Sequence, residues 1–399
     1  VSDDRVVSVV RCRRIAGTLR LEYHPSYRSE ERAVNDCRKI HFVGSLPPDL
    51  DSPVKAMEFV KSTAGEFFDG LMPGGEAYPE RATWYVRPIT DRFAEHSAVE
   101  LVRRGDWSGV AARNVYRVRA GHSLREADLE EKLGYLAETL AALPAFESIK
   151  TTMPGIRFKV AVPSPFVLSF IAFDRRALLF YSRSAPRGER VFPWYKPLVE
   201  ASVRQITRIH DRMGGDVVFQ LELPGETALC AMLPAPMRRL VAHRAGRAVS
   251  SIVAQAPHRA RIGIHLCYGS LNNTPATVPR STAGVVALAN AIARYWPTGR
   301  HLDFVHLPMA DGPRPPLEPD YYTHLGRLSL PAETRVVAGI SHAHQSLDVQ
   351  RQALDLAEDA IGHTLDIAAP CGLGRYPDAD TARAVVKHSV TLAQKSSTV

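Results

Sequence analysis

The sequence predicts an α/β protein built as a single (β/α)8 TIM barrel with an N-terminal extension and a long insertion after the second strand. Three observations predict it. Short β-branched or apolar runs alternate with stretches of helical periodicity, and eight such runs occupy about 330 residues. Polar residues able to carry chemistry gather at the C-terminal ends of those runs, where a barrel puts its active site. No glycine-rich phosphate turn follows the first run, which argues against an open doubly wound sheet.

The first 37 residues precede the first strand, carry many Arg and Glu, and form an extension that packs outside the barrel or covers its bottom. The barrel itself is expected over 38–395. Its strands are expected at 39–44, 69–76, 157–162, 217–222, 261–267, 302–307, 334–340 and 365–368. Helices are expected at 56–68, 194–213, 237–254, 282–295, 347–360 and 379–392, where apolar residues recur at helical spacing with charges between them. The segment 77–156 is long for a βα connection and holds its own helix near 124–143. An excursion of that size at a strand's C-terminal end sits over the active site. Pro313, Pro315, Pro316 and Pro319 mark a second loop, after the sixth strand.

Composition narrows the function classes. The chain has 399 residues, 45% of them hydrophobic and 23% charged, an ordinary globular balance that excludes a disordered or fibrous chain. Fifty Lys and Arg against 42 Asp and Glu give a formal charge of +8, spread thinly along the chain. No nucleic acid is expected as partner, while an anionic small molecule suits the charge. No membrane span is expected, because the longest apolar stretch, 155–173, is interrupted by Arg157, Lys159, Pro163 and Pro165. Five cysteines lie far apart, an odd number in a long chain, so a disulfide framework is not expected and a cytoplasmic setting is.

The sharpest local feature is Ile264-His265-Leu266-Cys267 at the end of the fifth strand. Residues i and i+2 of a strand share a face, so His265 and Cys267 project together, suited to one metal ion. Alone, a bare H-x-C is more often chance than chemistry. Two other strand ends add matching groups, His306 closing the sixth strand and Cys371 following the eighth, and a barrel converges all its strand ends on one rim. A Cys2His2 or open Cys2His zinc site follows. His342 and His344, after the seventh strand, fit either a metal or an acid/base role, or the role of ordinary loop histidines. Glu76 ends the second strand and Glu222 the fourth; they suit amine binding or proton transfer, against the plainer reading of carboxylates capping neighbouring loops. The turn Val43-Gly44-Ser45-Leu46-Pro47 offers backbone amides and a hydroxyl to a carboxylate, against a tight turn that needs Gly44 for geometry only. The basic cluster Arg238, Arg239, His243, Arg244 and Arg247 lies on one helix and reads as a solvated surface.

Together these residues resemble the C-terminal catalytic barrel of cobalamin-independent methionine synthase, within the uroporphyrinogen decarboxylase/methionine synthase-like superfamily, as a divergent stand-alone member. Val43-Gly44-Ser45-Leu46-Pro47 is similar to the family's I-G-S-F-P, Gly75-Glu76-Ala77 to its H-G-E-A, and Gln220-Leu221-Glu222-Leu223-Pro224 to its Q-I-D-E-P. His265-Leu266-Cys267-Tyr268 is similar to H-M-C-Y, and Cys371-Gly372-Leu373 matches C-G-L. The resemblance covers about residues 36 to 395.

The resemblance implies that Gly44 and Ser45 hold the carboxylate of an amino-acid thiol and Glu76 its amine, with Glu222 and His342 as catalytic residues. It implies zinc on His265, Cys267 and Cys371, with His306 where the family has a glutamate ligand. The implied enzyme is a methyl or alkyl transferase, 5-methyltetrahydropteroyltriglutamate-homocysteine methyltransferase-like, whose partners are a small-molecule thiol substrate and an alkyl donor. The tryptophan associated with folate binding has no clear counterpart near Pro163-Ser164-Pro165-Phe166, which leaves the donor open. The alternatives are a metal-independent decarboxylase or lyase of the same superfamily, with Glu76, Glu222 and His342 moving protons, and a non-catalytic binding barrel.

Overall fold

The computed structural model describes residues 38–47, 49–74, 86–173, 194–269, 274–309, 316–376 and 378–394, and the backbone of 9–15 and 18–24. Two compact units divide the chain, Val1–Cys37 and Arg38–Val399. In the first, β1 (Val9–Ile15) and β2 (Thr18–His24) pair antiparallel, from Val9 opposite His24 to Ile15 opposite Thr18.

In chain order the second unit holds β3 (Leu71–Pro73), β4 (Val99–Arg103), β5 (Val115–Val118), β6 (Arg157–Pro163), β7 (Val217–Glu222), β8 (Arg261–His265), β9 (Leu302–Pro308), β10 (Arg335–Gly339) and β11 (Asp366–Ala368). All but β4 and β5 form one seven-stranded sheet in the order β11-β10-β9-β8-β7-β6-β3, and every pairing in it is parallel. Parallel neighbours cannot be joined by a tight hairpin, so every connection crosses over. The crossovers carry helices that include Tyr195–Met213, Ala235–Gln255, Ala283–Tyr295 and Leu347–Ile361.

The sheet curls on itself. Ile40 bridges in parallel to Phe68, just before β3, and to Ile367 in β11, so one residue touches both edges. Its amide donates to Phe67 O at 2.7 Å, and His41 N donates to Ile367 O at 2.8 Å. The expected first strand, 39–44, is thus a single bridge residue rather than a strand. Gly44, at φ 137°, then turns the chain through a conformation that side chains rarely adopt.

Alternation along the strands sorts residues between two layers. Phe219, Ile262, Ile264 and Val305 join the main core against the helices, with Ile206, Val253 and Ile292. Val218 and Phe304 face the other way and form a small cluster with Val43, Leu71, Val337 and Ala368. A Cβ on Gly263 would fall on the Phe304 ring, so that ring fills the concave side only because position 263 has no side chain.

The excursion after β3 holds the helix Val86–Ala94, the antiparallel hairpin of β4 and β5, and two helices, Glu126–Leu133 and Tyr135–Thr152. The sequence predicts one helix there. Gly134, left-handed at φ 77°, splits it in two. Among the described residues no helix is long and apolar enough to cross a membrane.

Candidate metal centre

Strand register sets up the site. Glu222 pairs with His265 across β7 and β8, and His265 pairs with His306 across β8 and β9, so three polar residues stand in one row on adjacent strands. Cys267 follows His265 on the loop leaving β8, and Cys371 lies on the loop leaving β11.

One ligand atom each from His265, Cys267 and Cys371 lies within 4.8 Å of the others, and all three atoms are buried. Ligands about 2.3 Å from a tetrahedral zinc stand about 3.8 Å apart, so the spacing suits one ion with little movement. The donor set fits as well: two thiols and an imidazole are soft to borderline ligands, and the buried His265 Nδ1 has no hydrogen-bond partner. Cys371 is held well below the usual thiol range by the hydrogen bond from Cys267, with help from His265 and Arg375. Cys267 is pushed correspondingly up by the same hydrogen bond and by burial. One thiolate shared by a neighbouring thiol is the state from which a metal displaces the remaining proton. By contrast Cys230, buried in the core, is pushed up to about 12 by burial.

His306 is not gathered with these three. Its ring is fully buried, Nδ1 lies 3.0 Å from Leu266 O and Nε2 3.0 Å from Ala369 O. Both ring nitrogens are therefore directed at backbone carbonyls.

The Gly44–Ser45 turn is brought against the Cys371 loop. Gly374 N donates to Ser45 O at 2.7 Å, and a Cβ on Gly372 would fall on the Ser45 hydroxyl. Glu222 is buried and its Oε1 accepts from Gln220 Nε2 at 2.8 Å. His342 is also buried; its Nδ1 accepts from His344 N at 3.1 Å, which leaves the ring proton on Nε2. Gln350 fixes its backbone from both sides, accepting from His342 N at 3.1 Å and donating to its carbonyl at 2.8 Å. Burial, with His344 and His388 nearby, lowers the His342 pKa to about 4, so the ring is neutral at pH 7. Glu76 lies outside the described residues.

A buried polar network beneath the turn is absent from the sequence reading. Lys159, on β6, donates to the carbonyls of Phe42 and Val43, to Gln220 Oε1 at 3.0 Å and to His41 Nε2 at 3.2 Å. Gln220 Nε2 also donates to Val43 O at 2.7 Å, and His41 Nδ1 donates to Asp69 at 2.7 Å. Burial and then Lys159 lower the His41 pKa to about 4, so that ring too is neutral. Burial alone would raise Asp69, but His41, Arg335 and Lys159 hold it at about 2. The signal was a lysine and a histidine inside otherwise apolar strand runs, positions where a charge has to find partners. The basic cluster on the helix Ala235–Gln255 is a different case: Arg239, His243 and Arg247 are exposed, while Arg238 donates to the carbonyls of Cys230 and Leu233.

A curled parallel sheet wrapped by helices, with polar residues at its strand ends, defines the class as a TIM-barrel-like α/β protein. Within that class, the chain shares its fold with a B12-independent methionine synthase from Shewanella sp. W3-18-1, solved in complex with selenomethionine, at a TM-score of 0.52 and 13% sequence identity. The match covers 90% of this chain and 97% of that one. No protein-family model matches the sequence, and no curated protein matches it.

Proposed function

We propose that this chain is a zinc-dependent transferase that moves a methyl or other alkyl group onto a small-molecule thiol. The observation that carries the reading is the convergence of His265, Cys267 and Cys371 from two strand ends that are not neighbours in the sheet. The same reading takes the sheet as a (β/α)8 barrel over 38–395, its remaining position filled by the short segment around Ile40, which bridges both edges.

His265, Cys267 and Cys371 would hold the zinc, which would keep a bound substrate thiol ionised near neutral pH. The chain's own residues do the rest. The backbone amides at Gly44 and Ser45 and the Ser45 hydroxyl bind a carboxylate, and Lys159 fixes the two carbonyls that precede them. Glu76 binds the amine, Glu222 serves as a catalytic residue that moves a proton, and Gln220 orients Glu222 while also holding the Val43 carbonyl. His342, neutral with its proton on Nε2, donates a hydrogen bond to the leaving group of the alkyl donor and keeps its proton. A cavity of about 330 Å³ touches the turn at Val43 and Gly44 and is bounded also by Pro73, Tyr135, Phe158 and Ala161, while His265, Cys267 and Cys371 do not line it. That the structural neighbour was solved with selenomethionine, a methylated amino-acid selenoether, suits a product of this kind.

The test is elemental analysis of protein purified without chelators, followed by thiol binding. Near-stoichiometric zinc is expected, lost in Cys267→Ser and in Cys371→Ser, together with binding of homocysteine-like thiols. Zinc-free protein that is fully active, or protein that ignores thiols, would move the weight to the metal-independent lyase.

A further inference from the structure

The two sulfurs of the centre arrive on loops leaving β8 and β11, which β9 and β10 separate in the sheet. Something has to hold those loops at a fixed spacing. His306, on β9, touches both. Its Nδ1 stands 3.0 Å from Leu266 O, the residue before Cys267, and its Nε2 stands 3.0 Å from Ala369 O, two residues before Cys371. Leu266 is held a second time, because its amide donates to His306 O at 3.1 Å.

The ring has no room to do anything else. It is fully buried, and its centroid lies 4.5 Å from that of His265. Space for it exists because position 339 is glycine: a Cβ there would lie 2.6 Å from Nε2 and 2.9 Å from the Pro370 Cα. A neutral imidazole donates from one nitrogen only, so the ring ties one loop by a hydrogen bond and stands as a steric stop against the other.

We propose that His306 is a positioning residue and not a metal ligand: its ring is a rigid spacer that sets the distance between the Cys267 and Cys371 sulfurs. The metal centre is then a three-donor site of His265, Cys267 and Cys371, with its remaining coordination position open to substrate. The ligand count rests on the zinc reading above. The spacing of the sulfurs does not, and it can be measured without metal.

The experiment uses the full chain, stripped of metal, and phenylarsine oxide, which forms two As–S bonds with a close dithiol and releases water. Wild-type protein is expected to take up one arsenical, lost in Cys267→Ser. His306→Ala is expected to weaken that capture about tenfold or more, as loss of a supporting residue does at metal sites, and His306→Gln, which keeps one donor, to recover part of it. Val253→Ala, a core substitution on the helix Ala235–Gln255, should destabilise the protein and leave capture unchanged. X-ray absorption of the zinc-loaded protein should count one imidazole and two sulfurs in wild type and in His306→Gln alike. Unchanged arsenical capture in both His306 variants overturns the proposal, as does a second imidazole in wild type that vanishes in His306→Gln. Should His306→Ala fail to fold, His306→Gln carries both measurements. Wild type that captures the arsenical but binds no zinc removes the metal reading and leaves the spacer standing.

Discussion

Lys159 is a buried cation at the centre of the polar network beneath the Gly44–Ser45 turn. A buried ammonium is costly unless its hydrogens are all used, and here the carbonyls of Phe42 and Val43 and the side chains of Gln220 and His41 use them. Its charge also explains its neighbour. His41 bonds to Asp69 and would ordinarily become charged beside a carboxylate, yet burial and the adjacent cation keep it neutral, so Asp69 answers to Lys159 and Arg335 as well. Replacing Lys159 by Met keeps the length and removes the donors, so the Phe42 carbonyl loses its side-chain partner and the Val43 carbonyl is left with Gln220 alone. Lys159→Met should therefore cost at least about 2 kcal/mol in urea unfolding. Because those carbonyls open the Gly44–Ser45 turn, it should also weaken thiol-substrate binding more than it weakens zinc binding. A variant as stable as wild type would show that the network is ornamental.

At the scale of elements, the contact of Ser45 with Gly372 joins the substrate turn to the metal loop. Gly372 has ordinary extended backbone, φ −61° and ψ 144°, so alanine there meets no backbone strain, but its Cβ would fall on the Ser45 hydroxyl and 3.1 Å from the Gly44 carbonyl oxygen. Gly372→Ala should cost about 1 to 3 kcal/mol as overpacking, and should reduce zinc and thiol binding together, since it parts two loops that each serve one of them. Loss of stability with both affinities unchanged would disconnect the loops from the site. Amphipathic helices and β-branched strands were legible in the sequence because their period and their caps agree: Ser346 caps Leu347–Ile361 through Val349 N, and Asp378 caps Ala379–Ala393 through Thr381 N. The helix Pro165–Ala172 was not, since seven of its eight residues are buried and an element apolar on every side has no period to read. Pro224–Met232 opens on Pro-Gly, which reads as a turn. The His265 and Cys267 pairing followed from strand period alone, whereas which way the His306 nitrogens point depends on carbonyls 40 and 63 residues away, a matter that no local pattern encodes.

The whole molecule has an acid weakness that follows from where its histidines sit. His41 and His342 both have pKa values lowered to about 4, and burial lowers His306 well below the ordinary value. In the unfolded chain each would titrate near 6.5. A histidine whose folded pKa is depressed contributes stability that is fully present above the unfolded value and is lost as pH falls toward the folded one. Between pH 6.5 and 4 the unfolded chain therefore binds more protons than the native protein, and stability must fall with falling pH. For His342 alone the shift from 6.5 to about 4 corresponds to roughly 3 kcal/mol across that window. His41 adds to it in the same direction, and Asp69, at about 2, adds a further loss only below pH 4. Urea unfolding of the metal-free protein should show a free energy that declines steadily from pH 7 to pH 4.5, and His342→Asn, which cannot titrate, should decline less steeply over the same range. His306 and His342 lie at two strand ends of the curled sheet and His41 follows the residue that bridges its edges, so protonation of any of them should unfold the second unit as a whole and not one corner of it, and circular dichroism and intrinsic fluorescence should report the same midpoint at each pH. A stability that is flat across this range would mean that the rings find solvent or acidic partners in the native state.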